Sequence, residues 1–173
     1  MKELLPSFRD SVLMPLSDPT MDLLEAGIDT IFETDALKAI PVVNTVAAFC
    51  KVGINLHERN LLKQTFEFIK GFNEGTLDKE TIAAYRLALE NDPKRQEKEL
   101  GRIILILEKQ VDVRQSLVLG SFFQAYVGES ICWEKFCELS EANSRMFSSD
   151  YPILVRVANK NGIRAQSNQS CFI

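Results

Sequence analysis

The sequence predicts an all-α, single-domain bundle of about seven helices, and three observations support that prediction. Apolar residues recur every three or four positions in most segments, which is the period of a helix with one buried face. The pairs Asp18-Pro19 and Asp92-Pro93 each place a capping acid before a proline, a common helix start. The 173 residues are 46% hydrophobic, which is enough apolar material for one core.

The predicted helical domain covers residues 18–162, between an N-terminal arm (1–17) and a C-terminal tail (163–173). The arm holds two prolines, Pro6 and Pro15, and scattered apolar residues. We therefore expect an irregular segment, or a single short turn of helix, that lies on the domain or on a partner. The tail is polar with apolar ends, which predicts a loose or strand-like segment.

The first helix of the domain, residues 18–34, is acidic on one face. Its apolar residues are Met21, Leu24, Ile28, Ile31 and Phe32, and its acids are Asp18, Asp22, Glu25, Asp29 and Glu33. Both sets follow helical spacing, so one face is expected to be buried and the other charged. The charged face is either a solvated surface or a docking surface for a basic partner, and we take the five acids as candidate partner-binding residues.

A long helix is predicted at 41–73, starting at Pro41. Its 33 residues would extend about 50 Å, so a break or kink is expected near Gly53. Twelve uncharged residues separate Lys38 from Lys51. A membrane-spanning helix needs about 20 apolar residues, so a buried core helix is favoured and insertion of residues 39–56 into a bilayer is the alternative.

Five further helices follow. They are predicted to start at Thr76 or Asp78, after Asp92, at Asp112, near Trp133 and at Tyr151. The apolar run from Ile103 to Leu107 is compatible with a buried strand, but its charged flanks favour a central core helix. Gly120 would cost its helix about 1 kcal/mol relative to alanine unless a neighbour packs closely there.

Residues with catalytic or metal-binding chemistry are sparse. The only histidine is His57, and the adjacent Glu58 points away from it on a helix, so a surface or packing role is favoured. No phosphate-binding glycine motif occurs, and the candidate nucleophiles Ser116, Ser130 and Ser140 lack glycine flanks. The four cysteines, Cys50, Cys132, Cys137 and Cys171, include no CxxC pair, which favours reduced thiols in the cytoplasm. We therefore expect no catalytic residues, no metal, no cofactor and no enzymatic activity.

A longer pattern across residues 37–147 resembles that of uncharacterised small helical proteins of bacteria and phages. It comprises the IPVV run from Ile40, Lys51-Val52-Gly53, Glu58-Arg59 and a following Leu-Lys, then Gly101, Asp112, Phe122-Phe123 and Trp133-Glu134-Lys135-Phe136. The resemblance implies a helical protein of bacterial or phage origin. It implies no activity and no functional residues.

The sequence thus predicts a non-enzymatic intracellular protein that acts through protein–protein interaction, with a basic protein or a second copy as its partner. One alternative is a membrane-active effector that uses residues 39–56. A weaker alternative is a DNA-binding regulator that uses the basic C-terminal residues Arg156, Lys160 and Arg164. Three cations are few beside the six to ten phosphate contacts common in DNA sites, and the net charge of −4 gives no general attraction to nucleic acid.

Overall fold

The computed structural model describes residues 4–14, 41 and 56–160, and within them it contains seven α-helices and no strand. This confirms the predicted all-α class. The helices are α1 (Leu4–Leu13), α2 (Leu56–Asn73), α3 (Lys79–Asn91), α4 (Pro93–Lys109), α5 (Val113–Val127), α6 (Trp133–Ser144) and α7 (Asp150–Lys160). The predicted acidic helix (18–34), the kink near Gly53 and the tail (163–173) lie outside the described residues.

The N-terminal segment differs from its prediction, because residues 4–13 form a ten-residue helix that enters the core. Phe8 stacks on Phe68 of α2 with ring centroids 5.8 Å apart, and Val12 and Leu13 are buried. The segment packs on the rest of the described bundle, which is one of the predicted alternatives, but it forms a longer helix than the irregular segment or single short turn that was predicted. Pro6 lies in the first helical turn, where backbone N–H groups have no helical acceptor, so the proline breaks no hydrogen bond.

Helices α2 and α5 form the most extensive contact between any two described helices. Two glycines allow their backbones to approach closely. A Cβ atom on Gly71 would lie 1.9 Å from the Leu117 carbonyl oxygen, and one on Gly120 would lie 2.1 Å from the Phe68 carbonyl oxygen. The close neighbour expected at Gly120 is thus the backbone of α2.

The core is rich in aromatic rings, and Phe123 of α5 lies among five of them. Their centroids lie 5.7 to 6.1 Å from that of Phe123, and the five residues are Phe68, Phe72, Tyr85, Tyr126 and Phe136. Tilted and edge-to-face pairs at these distances add specific attraction to the burial of the rings. Phe123 therefore links α5 to α2, α3 and α6.

Three aspartates cap α3, α4 and α5, as the sequence predicts. Asp78 accepts a hydrogen bond from Thr81 N, Asp92 from Arg95 N, and Asp112 from Arg114 N. Each bond satisfies a backbone donor that has no partner within its own helix. The predicted starts of α3, α4 and α5 are therefore confirmed.

The apolar run in α4 is helical, so the strand alternative is wrong. Ile103, Ile104 and Leu107 are buried, whereas Leu105 is 56% exposed. This is the pattern of a helix with one face on the core, since a buried strand would cover neighbouring residues more evenly.

Candidate interaction surface

Helix α7 is the one helix in the described part of the chain that has no buried residue. Its four aliphatic side chains are about half exposed: Ile153 56%, Leu154 53%, Val155 59% and Val157 46%. An amphipathic helix normally places its apolar side against the rest of the fold. Contiguous exposed apolar side chains on a small protein mark a candidate binding surface.

A polar contact attaches α7 to the bundle. The Tyr151 hydroxyl donates to Asn143 Oδ1 at 2.8 Å, and the Asn143 amide in turn donates to the Gln115 carbonyl oxygen at 2.8 Å. Tyr151 and Ala158 are partly buried and lie seven positions apart, so they share the side of α7 that faces the bundle. Partial burial raises the pKa of Tyr151 above its ordinary value, so the hydroxyl stays protonated as the donor at neutral pH.

A groove of about 460 Å³ lies beside the start of α7, between residues 109–115 and 144–148. Two of its lining side chains, Val111 and Phe147, are 85% and 76% exposed. Phe147 also precedes α7 directly, and its backbone N–H donates to Asp150 Oδ2 at 2.8 Å. The exposed apolar surface therefore continues from α7 into the groove.

Hydrogen bonds between its two sides fix the shape of this groove. Arg114 Nη1 donates to the Ser148 carbonyl oxygen at 3.1 Å, and Gln115 Nε2 donates to the Met146 carbonyl oxygen at 2.9 Å. The Ser148 hydroxyl also donates to the Asp112 carboxylate, which lowers the pKa of Asp112 below its usual value. The groove is thus held between α5 and the turn that leads to α7.

A buried polar cluster supports the same surface from the α2 side. Asn60 Nδ2 donates to the Gln110 carbonyl oxygen at 2.8 Å, and Gln64 Nε2 donates to the Val111 carbonyl oxygen at 3.1 Å. The Ser116 hydroxyl lies 2.6 Å from Gln64 Oε1 and also contacts the Gln110 carboxamide. The first two bonds satisfy the backbone carbonyl groups of Gln110 and Val111 and tie the loop between α4 and α5 to α2.

A second buried cluster surrounds Glu99 of α4. Its carboxylate accepts hydrogen bonds from Arg95 Nε at 2.8 Å, from the Tyr126 hydroxyl at 2.8 Å and from the Tyr85 hydroxyl. Burial is the main cause that raises the pKa of Tyr126 to about 12 and the pKa of Tyr85 further, so both phenols remain protonated donors. The three partners of Glu99 lie on α3 (Tyr85), α4 (Arg95) and α5 (Tyr126). The cluster therefore links these three helices by hydrogen bonds.

The residues singled out in the sequence are dispersed. The five candidate acids, Asp18, Asp22, Glu25, Asp29 and Glu33, lie outside the described residues, as do Cys50, Cys171 and Arg164.

His57 is exposed near the start of α2. Ser116 and Ser140 are buried and hydrogen-bonded, and Cys132 and Cys137 are half-buried. Burial raises the pKa of the Cys137 thiol. Arg156 and Lys160 are exposed on α7 itself.

Two features are absent from residues 4–14, 41 and 56–160. No helix there has the length and apolar character required to cross a membrane. Among the same residues, no three His, Cys, Asp or Glu side chains come together in an arrangement that could hold a metal ion.

Comparison of the chain with protein families, with curated proteins and with solved structures finds no match. The fold and the exposed surface therefore define the class to which the chain is assigned: a helical-bundle protein with an exposed amphipathic helix beside a groove of mixed polar and apolar lining.

The sequence predicts the helix at α7 and offers its basic residues only for the weaker DNA-binding alternative, not as a protein-binding surface. Its apolar residues have the same spacing as those of the core helices, so periodicity alone cannot tell a buried face from an exposed one. The Glu99 cluster is missed for a different reason, since Tyr85 and Tyr126 are 41 positions apart in the chain and meet only in the fold.

Proposed function

We propose that the protein is a non-enzymatic interaction protein that binds another protein chain through the outward side of α7. The observation that carries the proposal is that α7 exposes its aliphatic side chains and buries none of its residues. A helix that offers apolar anchors at spacings of three and four suits recognition by a facing helix or groove.

The charges on α7 indicate what a partner must provide. Arg156 and Lys160 are exposed, and Asp150 lies at the start of the helix. A partner helix therefore needs apolar residues between groups of both charge signs, with carboxylates near the C-terminal end of α7. Carboxylates near exposed cations add specificity more than affinity.

An anionic lipid surface is the competing ligand for a helix of this kind. Two cations near a membrane contribute about 1 kcal/mol each, which alone gives weak attachment. Asp150 opposes that attraction, so a protein partner is favoured. A cytoplasmic site of action is part of the proposal, because Cys132 and Cys137 are free thiols.

Site-specific photo-crosslinking in the native cells tests the proposal. A photoreactive amino acid replaces Ile153 on α7, and a matched control replaces Leu87, which is 57% exposed on α3. We expect protein adducts from position 153 that are absent from position 87 and that disappear when Val157→Asp is added. Equal adduct formation at both positions, or adducts with lipid alone, would contradict the proposal.

A further inference from the structure

Four residues of α7 form one stripe along the helix. Asp150, Ile153, Val157 and Lys160 are spaced by three, four and three positions, the spacing of a helix–helix seam. At about 100° per residue they fall within an arc of about 80°. The two aliphatic residues of the stripe, Ile153 and Val157, centre about 130° from the bundle-facing side that carries Tyr151 and Ala158, so they face away from the bundle. Asp150 is partly buried and lies at the edge of the stripe nearest the bundle.

The charges of the stripe sit at its two ends, with the acid at the start and the base at the end. Between them lie only aliphatic side chains, Ile153 and Val157. An antiparallel copy of the same stripe would place acid against base at both ends and aliphatic against aliphatic in the middle. The surface is therefore complementary to itself, as a twofold-symmetric interface requires.

We infer that two copies of the chain pair antiparallel through α7, with Ile153 of each copy against Val157 of the other and Asp150 of each against Lys160 of the other. The inference rests on the proposed function and names its partner as a second copy of this chain.

The polarity of the helices supports the antiparallel arrangement. In an antiparallel pair, the N-terminus of each helix lies beside the C-terminus of the other, so the helix dipoles attract. A parallel pair would instead place Asp150 against Asp150 and Lys160 against Lys160. Asp150 accepts from Phe147 N in the turn before α7, and a carboxylate has acceptor positions left for an ion pair.

The size of the stripe limits the strength of the dimer. Stable protein interfaces bury about 1,200–2,000 Å² in total, and two helices of three turns each bury considerably less. We therefore expect reversible association with a dissociation constant of about 0.1–1 mM. Phe147, exposed beside the start of α7, extends the apolar surface available to each copy.

Sedimentation velocity of the full chain, from about 10 μM to 1 mM, tests the inference. The variants are Lys160→Glu, which places like charges together at both ends, and the double variant Asp150→Lys with Lys160→Glu, which restores opposite charges. Lys98→Glu on α4 is the matched control, since Lys98 is exposed and lies outside α7. Asp150→Asn keeps an acceptor for Phe147 N while it removes the charge.

We expect wild type and Lys98→Glu to dimerise alike with rising concentration. Lys160→Glu should weaken the dimer about tenfold, because two attractions become two repulsions. Asp150→Asn should weaken it about threefold, and the double variant should recover wild-type association. A wild-type protein that stays monomeric throughout, or a Lys160→Glu variant that dimerises like wild type, would overturn the inference.

The crosslinking at position 153 separates this inference from the proposed function. An adduct of twice the 19.6 kDa chain mass supports both. An adduct with a different protein supports the proposed function and overturns the pairing of two copies. The absence of any protein adduct, in cells and in the purified chain at about 1 mM, overturns both.

Discussion

Gly120 of α5 lies against the Phe68 carbonyl of α2, so closely that a Cβ atom at position 120 would be 2.1 Å from that oxygen. Gly120 and the Phe68 carbonyl group belong to the backbones of α5 and α2, so they can separate only if the two helices move apart. The α2–α5 contact, the most extensive in the described bundle, therefore depends on the absence of a side chain at this position.

Replacement of Gly120 by alanine should destabilise the protein. The added methyl group forces α2 and α5 apart, which we expect to cost about 1–3 kcal/mol even though alanine favours the helix. Chemical unfolding measures the change in free energy. Gly101→Ala is the control, because no atom lies within 4 Å of a Cβ built there. That variant should gain about 0.5–1 kcal/mol, and a Gly120→Ala protein as stable as Gly101→Ala would contradict the close contact.

Replacement of Glu99 by glutamine should also lower stability. The change leaves the buried phenols of Tyr85 and Tyr126 facing a partly donating group and leaves Arg95 without its ion pair. We expect the free energy of unfolding to fall by about 2–3 kcal/mol. The loss should be smaller than for a fully buried ion pair, because Arg95 is partly exposed. Glu97→Gln on the exposed side of α4 should change stability by less than about 0.5 kcal/mol. Equal effects of the two variants would contradict the buried network.

The tyrosines should titrate at unusually high pH in the native protein. The chain has three tyrosines, and the pKa of each of Tyr85, Tyr126 and Tyr151 is raised, chiefly by burial. A group whose pKa is higher in the folded state stabilises that state below its unfolded pKa, near 10, and loses this contribution as the pH rises. For Tyr126 the loss should extend from about pH 10 to about 12.

Ultraviolet absorbance of the phenolate, followed beside helical circular dichroism, measures this titration. We expect less phenolate at pH 10 than three solvent-exposed tyrosines would give, while the helical signal is intact. Tyr126→Phe should lose less stability between pH 10 and 12 than wild type does. Native protein in which a tyrosine ionises with a midpoint near 10 would contradict the burial of these side chains.

Removal of the Tyr151 hydroxyl should loosen α7 without unfolding the bundle. The hydroxyl donates to Asn143 at 2.8 Å and makes the side-chain hydrogen bond that joins α7 to α6. In Tyr151→Phe, the loss of about 0.5–1.5 kcal/mol should speed amide hydrogen exchange in α7 by about 2- to 10-fold. Amides of α5 serve as the internal reference and should keep their rates. Unchanged exchange in α7 would show that another contact holds the helix.

The parts of the fold that the sequence predicts well are those set by local chemistry. Three helices are capped by an aspartate that directly precedes a segment with helical spacing: Asp78, Asp92 and Asp112. Each cap bonds a backbone N–H only two or three positions away, so it can be predicted from neighbouring residues. The sequence predicts at most a single short turn of helix in place of α1, because Pro6 and Pro15 interrupt its scattered apolar residues. The position of Pro6 in the first turn makes it harmless, and the burial of Phe8 against Phe68 supplies the stabilisation.

The candidate surface was harder to predict because exposure is a property of the assembled bundle. Ile153 and Val157 have the spacing of core residues, and only the placement of α7 shows that they face outward. The stripe from Asp150 to Lys160 can be found in the sequence by its three-four-three spacing. The sequence alone does not show that its bundle-facing side is held by Tyr151 instead of by apolar packing.

Mixing two variants that each dimerise more weakly than wild type tests the pairing of α7 most directly. Asp150→Lys carries two bases on the stripe and Lys160→Glu carries two acids, so each variant repels its own kind and attracts the other. We expect each variant alone to remain mostly monomeric at a concentration where wild type dimerises, and an equimolar mixture to dimerise like wild type. A mixture that stays monomeric while wild type dimerises would show that two copies do not pair antiparallel through α7.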